Sequence, residues 1–267
     1  MHTRVAIVTG ASRGIGKRTA LELAHRGYGI VASARALERD GRLPGSLAET
    51  RAEIEAAGAR VVVARADMSR RDEASALVST AVETFGRLDA VVNNAALTHG
   101  GNVPVTELEF EDWHAQFDTN LHGPLALIQA AVPHLSRARG VIVNLSSGAG
   151  DLKPAVEGPL LYSVGYAASK AALNRLANAL AGELMALGIA IVNVDPGSVS
   201  TERLERRLDT LSPEHRARLV SMEVPAVAIG HLVSCGTALE WTGRLLRAAD
   251  FVRSQGLGTA VPDSARI

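Results

Sequence analysis

VAIVTGASRGIGKRTALELAHR, residues 5–26, is the stretch that decides the fold. Its first four residues are apolar and mostly β-branched, the pattern of a strand buried on both faces. Thr9, Gly10, Ala11, Ser12, Arg13, Gly14, Ile15 and Gly16 follow directly, and a helical pattern then runs to residue 26. Strand, glycine turn and helix in that order make a phosphate cradle. Glycines let the backbone approach a pyrophosphate, and the free N–H groups at the helix start face it. The spacing is G-x-x-x-G-x-G, not the G-x-G-x-x-G of the general dinucleotide fingerprint, and glycine turns also serve merely to cap helices. The place of this turn after the first strand favours the phosphate reading.

Outward from that unit, strand patterns fall at 29–33, 61–64, 88–92, 141–145, 189–194 and 245–249. Helical patterns lie between them, at about 46–57, from an N-cap at Ser69 to 85, and at 107–117, 119–136, 162–187 and 226–239. This alternation argues an α/β chain: a doubly wound Rossmann fold, with about seven parallel strands and helices on both faces. With no linker and no internal repeat, residues 1–267 read as a single dinucleotide-binding and catalytic domain. Gly10, Arg35, Asp67, Asn94, Ser147 and Pro196 each follow a strand. In parallel sheets ligands bind outside those carboxyl ends, so residues scattered in sequence converge on one crevice.

Two positions bear on which dinucleotide is bound. After the second strand stands Ala34-Arg35, where an NAD-preferring site usually offers a carboxylate to the ribose 2′-hydroxyl. Arg13 and Arg35 are instead suited to a 2′-phosphate, a charge-assisted bond contributing roughly 1.5 to 3 kcal/mol. In so Arg-rich a chain both also fit solvated surface positions. Asp67, at a strand's carboxyl edge, is placed to accept from an adenine amine. Residues 36–50 read as a loop running into a helix; Arg39 and Arg42 are further candidates to approach the cofactor, which nothing in their spacing shows.

The helix at 162–187, YSVGYAASKAALNRLANALAGELMAL, carries the chemistry. Leu173, Leu176, Leu180, Leu184 and Leu187 recur at steps of three and four, predicting one buried face. Tyr166 and Lys170 stand one turn apart, so phenol and ammonium meet on one side. Of 28 basic residues only three are Lys. An ammonium is a compact charge where guanidinium is a planar fork. Beside a tyrosine it favours phenolate; a shift from about 10 to about 7 needs roughly 4 kcal/mol. Such a tyrosine is an acid or base near neutrality. The same pair also suits a surface contact of no catalytic meaning.

Composition excludes several classes. The 28 acidic and 28 basic residues cancel, leaving no electrostatic footprint for nucleic acid or an anionic membrane. No run of about 18 apolar residues occurs and no apolar leader precedes the first strand, so neither spanning nor secretion is indicated. Cys235 is alone, so no intrachain disulfide is possible, which suits a reducing cytoplasm. His99, His114, His122 and His134 are not paired on one helix face with a carboxylate, so no metal is expected.

Thr9 to Gly16, Asn93-Asn94-Ala95, Asn120, Ser147, Tyr166-x-x-x-Lys170 and Pro196-Gly197, in this order, resemble the short-chain dehydrogenase/reductase family over about residues 4–250. The resemblance implies that Tyr166 exchanges the proton at the substrate oxygen and that Lys170 lowers its pKa and binds the nicotinamide ribose. It implies that Ser147 holds the carbonyl and that Asn120 supports a water connected to Lys170. Ser146 is the competing serine, the second of the pair matching the family better. For the cofactor it implies Gly10, Ser12, Arg13, Gly14, Ile15 and Gly16 at the pyrophosphate. Asp67 and Met68 would lie at adenine, Asn94 at the adenosine ribose, and Val199 with Thr201 at the nicotinamide amide. Arg13 and Arg35 resemble the NADP-preferring members. The reaction implied is hydride transfer between NADP(H) and a ketone or secondary alcohol, in a homodimer or homotetramer joined through helices at about 104–136 and 163–187.

Three departures stand out. Ala96 replaces the usual glycine after Asn-Asn-Ala. The 18 residues between Ser147 and Tyr166 are more than the family usually has. The loop at 36–50 is also longer. Leu152, Val156, Leu160, Leu161 and Tyr162 in the enlarged wall suggest a largely apolar substrate of moderate size. A charged segment within about 198–225 reads as a mobile helical lid. A sensor or scaffold without turnover is the alternative, disfavoured by the intact Ser147, Tyr166, Lys170 and Asn120. A Rossmann-type epimerase or dehydratase is disfavoured because no substantial C-terminal substrate domain is expected.

Overall fold

The computed structural model describes residues 3–39, 43–98, 103–150, 163–206 and 208–258. Seven parallel strands run in the order β3-β2-β1-β4-β5-β6-β7. They are β1 (Val5–Thr9), β2 (Gly29–Ala34), β3 (Val61–Arg65), β4 (Ala90–Asn93), β5 (Val141–Leu145), β6 (Ala190–Asp195) and β7 (Leu245–Arg247). The chain winds outward from β1 to β3, returns to place β4 on the other side of β1, and winds on to β7. That reversal opens a crevice between β1 and β4 at their carboxyl ends.

Period-two alternation assigns each strand residue to a layer. Val5 and Ile7 pack with α3 (Arg71–Phe85), α5 (Gly123–Ala138) and α6 (Val164–Ala186) through Leu77, Leu127 and Leu184. Ala6 and Val8 pack on the opposite face with α1 (Gly14–His25) and α9 (Glu223–Ser234) through Leu23 and Ile229. Each fully buried aliphatic side chain contributes about 2 kcal/mol of transfer free energy. Both faces are covered, so the strands read as apolar runs rather than alternating ones. Among the described residues no helix is long and apolar enough to cross a membrane.

Several elements differ from the sequence-based expectation. Helix α2 (Leu47–Ala56) begins as expected, with Ser46 accepting from Glu49 N at 3.1 Å. Ser69 does not cap α3; its N–H and hydroxyl both donate to Asp67 Oδ1, at 3.0 and 2.8 Å. A carboxylate two residues back outcompetes the cap. Helix α4 (Phe110–Phe117) does not stop before α5; a single π turn, Asp118–His122, joins them. Strand β7 ends at Arg247, and α10 (Ala248–Ser254) follows, which sequence patterning missed. On α6 the buried line runs through Tyr166, Lys170, Leu173, Ala177 and Leu184, while Leu187 is exposed. The polar pair thus shares the core-facing stripe. The segment expected as a lid holds the short helices α7 (Glu202–Glu205) and α8 (Pro213–Ala217).

Candidate functional site

Where β1 and β4 part, Thr9 and Asn94 hold the crevice open in one shape. Thr9 Oγ1 donates to Val92 O at 3.3 Å and accepts from Asn94 N and Ala95 N, both at 3.0 Å. The Asn94 amide donates to Thr9 O at 2.7 Å and Gly10 O at 3.2 Å. The glycine turn is thereby tied to the end of β4. Gly10 and Gly14 have φ of 67° and 59°, which side chains rarely adopt. A methyl on Gly16 would come within 2.3 Å of Gly10 O.

The segment 36–50, where it is described, buttresses the same turn from its loop and from the first turn of α2. Thr50 Oγ1 donates to Ala11 O at 2.8 Å, Arg13 donates to Gly45 O at 3.4 Å, and Leu43 lines the cleft. Arg39 pairs with Glu49 instead of facing the cleft, and Arg42 lies outside the described residues.

Each residue expected at the cofactor lines one cleft of about 790 Å³. Gly10, Ser12, Arg13, Gly14, Ile15 and Gly16 form one end, with Arg35, Asp67, Met68 and Asn94 around it; Tyr166, Lys170, Val199 and Thr201 line it too. Burial works against the ionised form of Asp67. Its bonds from Ser69, with the Arg35 and Arg65 charges, outweigh that and hold the carboxyl below its ordinary range.

Ser163 starts α6: its Oγ accepts from Tyr166 N at 3.2 Å and from the Gln116 amide at 2.8 Å. One turn later Lys170 is 2 % exposed, and its Nζ donates to Leu145 O at 2.7 Å. That nitrogen lies 5.8 Å from the centre of the Tyr166 ring. Burial pushes the Lys170 ammonium down to about 8. A carbonyl at the end of β5 therefore anchors a cation that the core disfavours, beside the tyrosine.

Ser147 is nearly buried, its Oγ accepting from Ala149 N at 3.1 Å. Ser146, not Ser147, lines the cleft, and its hydroxyl donates to Asn174 Oδ1. Asn120 sits in the π turn and is fully buried. Its Oδ1 accepts from Leu97 N at 2.8 Å, and its Nδ2 donates to Leu97 O and Ser169 Oγ, both at 3.0 Å. The Asn120 side chain is thus committed to protein groups rather than to Lys170. Leu152, Val156, Leu160, Leu161, Tyr162 and His99 lie outside the described residues, so the expected wall is only partly in view.

Two features escaped the sequence reading. Asn93 donates to Asn144 at 2.8 Å, Asn144 to Asn193 at 3.0 Å, and Asn193 to Asn174 O at 3.2 Å, a buried amide relay across β4, β5 and β6 to α6. The signal was present: each of these strands carries Val-Asn near its carboxyl end. The other is the placement of Glu202 and Arg203, within the helical segment expected there, at the cleft.

A family model described as short chain dehydrogenase matches residues 4–211. A 3-oxoacyl-(acyl-carrier-protein) reductase of Staphylococcus aureus is 34% identical over 232 residues, 85% of each chain. An NADPH-dependent pterin aldehyde reductase of Arabidopsis thaliana is 34% identical over 202 residues, 75% of this chain and 77% of that protein. A short chain dehydrogenase of Mycobacterium paratuberculosis solved with NAD superimposes with a TM-score of 0.76 at 27% identity, over 91% of this chain and 95% of that one.

Proposed function

The chain belongs to the short-chain dehydrogenase/reductase family and is an oxidoreductase of that family; from this premise we propose that it moves a hydride between NADP(H) and a ketone or secondary alcohol, with Tyr166 as general acid/base. The observation that carries the reading is Lys170, buried, held by Leu145 O and set beside the Tyr166 ring in the cleft that begins at the glycine turn. A cation with this surrounding favours phenolate over phenol in its neighbour.

The residues fit a nicotinamide dinucleotide. Gly10 and Gly14 bring backbone to the cleft, and the first N–H groups of α1 open onto it. Arg13 and Arg35 line the cleft with no acidic side chain at Ala34, which supports NADP over NAD. The NADPH dependence of the Arabidopsis relative supports the same choice, while the Mycobacterium structure holds NAD. When bound, the nicotinamide supplies or accepts the hydride.

In this reading Tyr166 gives its proton to the carbonyl oxygen during reduction and takes it back during oxidation. Lys170 stabilises the phenolate left behind and holds the nicotinamide ribose. Ser147 steadies the substrate oxygen, a role taken from the family resemblance, since Ser146 is the serine that lines the cleft here. With the Asn120 amide spent on Leu97 and Ser169, its backbone carbonyl is the group to carry a water toward Lys170.

Residues 1–267 act as one domain with a lid at about 198–225. Exposed Val105, Phe110, Val164 and Met185, on or beside α4 and α6, support assembly into a homodimer or homotetramer through those elements. The lone Cys235 suits a cytoplasmic setting.

Parallel titration with NADPH and NADH, followed by absorbance at the reduced-nicotinamide band against aliphatic, cyclic and steroid-like ketones, tests the assignment. NADPH oxidation by members of the panel is expected. Tight NADPH binding without turnover across the panel would favour a sensor instead.

A further inference from the structure

The segment after β6 sets two opposite charges side by side, and each reaches a different wall of the cleft. Thr201 Oγ1 accepts from Leu204 N at 3.4 Å and so starts α7, placing Glu202 and Arg203 in its first turn. Glu202 Oε1 accepts from Gly14 N at 3.3 Å. Its Oε2 would stand 3.6 Å from a methyl on Gly14, so both carboxylate oxygens face the start of α1. Arg203 goes the other way, donating from Nη1 to Thr98 Oγ1 beyond β4.

Among the described residues, no carboxylate is among the charges that act on Arg203. Arg203 is exposed on this segment; the partial desolvation it meets at the cleft lowers its pKa, the Arg13 and Arg35 charges add to that, and Tyr166 opposes them. A cation at the cleft among other cations gains from an anion that arrives there. Glu202, one residue away, is already spent on the N–H of Gly14.

We infer that Glu202 and Arg203 form a charge gate on the cofactor's pyrophosphate. The inference rests on the proposed dinucleotide reading, which gives the Gly14 N–H to that group. Two anions cannot share one N–H at a helix start, so Glu202 competes with the pyrophosphate for the site. With Glu202 displaced, Arg203 becomes the cation on the lid side of the phosphates. No covalent bond changes; one anion replaces another, and the lid moves with the exchange. NADPH and NADH carry the same pyrophosphate, so the gate acts on both alike. Arg35, by contrast, separates them.

The test is direct binding, read by reduced-nicotinamide fluorescence with NADPH and NADH as probes. Glu202→Gln keeps the side chain's size and removes its charge; it is expected to tighten both nucleotides by about fivefold. Arg203→Leu is expected to weaken both by about tenfold. The NADPH to NADH ratio stays as in the wild type in both variants. Should Arg203→Leu fold poorly by circular dichroism, Arg203→Lys retains charge without the fork and is expected to weaken both nucleotides less. Unchanged or weaker binding by Glu202→Gln overturns the gate while leaving the dinucleotide reading intact. Loss of only one nucleotide in an Arg203 variant does the same. Wild-type protein that binds neither nucleotide would overturn the reading and the gate together.

Discussion

The glycine turn and the strap that carries α7 and α8 face each other across one cleft, yet they are held in opposite ways. The turn is fixed from below: Thr9 and Asn94 bond it to β4, Thr50 bonds Ala11, and Gly16 leaves no room for a methyl. The strap is fixed from its ends. Val199 and Val220 are buried and form an isolated bridge, while between them the helices are four and five residues long and contain no buried residue. Helices that short are not stable by themselves in water. A surface determined by its own neighbours therefore meets one determined by a few side-chain contacts across the cleft.

The largest effect tests the wall behind the turn. Tyr166→Phe is expected to lower turnover by about a thousandfold with NADPH affinity unchanged, because only proton transfer is removed. Retained turnover would take Tyr166 out of the mechanism.

Next comes a direct contrast of turn and strap. Gly16→Ala forces a methyl against Gly10 O and is expected to cost about 2 kcal/mol in urea unfolding. Arg218→Ala, exposed beside α8, is expected to stay within about 0.5 kcal/mol. Equal losses at the two sites would erase the distinction between them.

A smaller effect sharpens what the turn end reads. Arg35→Asp is expected to weaken NADPH about tenfold or more and NADH much less. Equal losses would mean that Arg35 does not meet the 2′-phosphate.

The smallest is a pH effect. Lys170 is lowered by burial from 10.5 to about 8, so below that pH the folded state bears the cost of a buried charge. From there to the unfolded value the unfolded chain holds more protons, and stability rises with pH. Wild type should gain about 1 kcal/mol relative to Lys170→Met between about pH 7.5 and 9, in parallel denaturant titrations. A flat difference would place the ammonium in a more polar setting.

What was legible in the chain followed local rules. The apolar runs of β1 and β5, the glycines of the turn and the one-turn spacing of Tyr166 and Lys170 all depend on residues close in sequence. Asn120 was not legible as a buried residue, because the π turn that carries it and the Leu97 backbone that receives it come from separate segments. Nor was the amide relay from Asn93 to Asn174, since strand neighbours are chosen by sheet order. Ser69 was read as a cap because its spacing suits one; the nearby Asp67 carboxylate took its donors instead.

By itself, then, the sequence determined the alternation of strands and helices, the glycine turn after the first strand, and the residue types set at the strand ends. Backbone propensity and apolar periodicity act over a few residues, and those features need no more. Only the tertiary structure decided that Lys170 is desolvated and held by Leu145 O, that the 36–50 segment braces the turn, and that Glu202 sits on the Gly14 N–H while Arg203 reaches Thr98. Desolvation and charge pairing depend on which distant segments meet. That meeting is set by packing two helical layers on one parallel sheet, not by any stretch of chain alone.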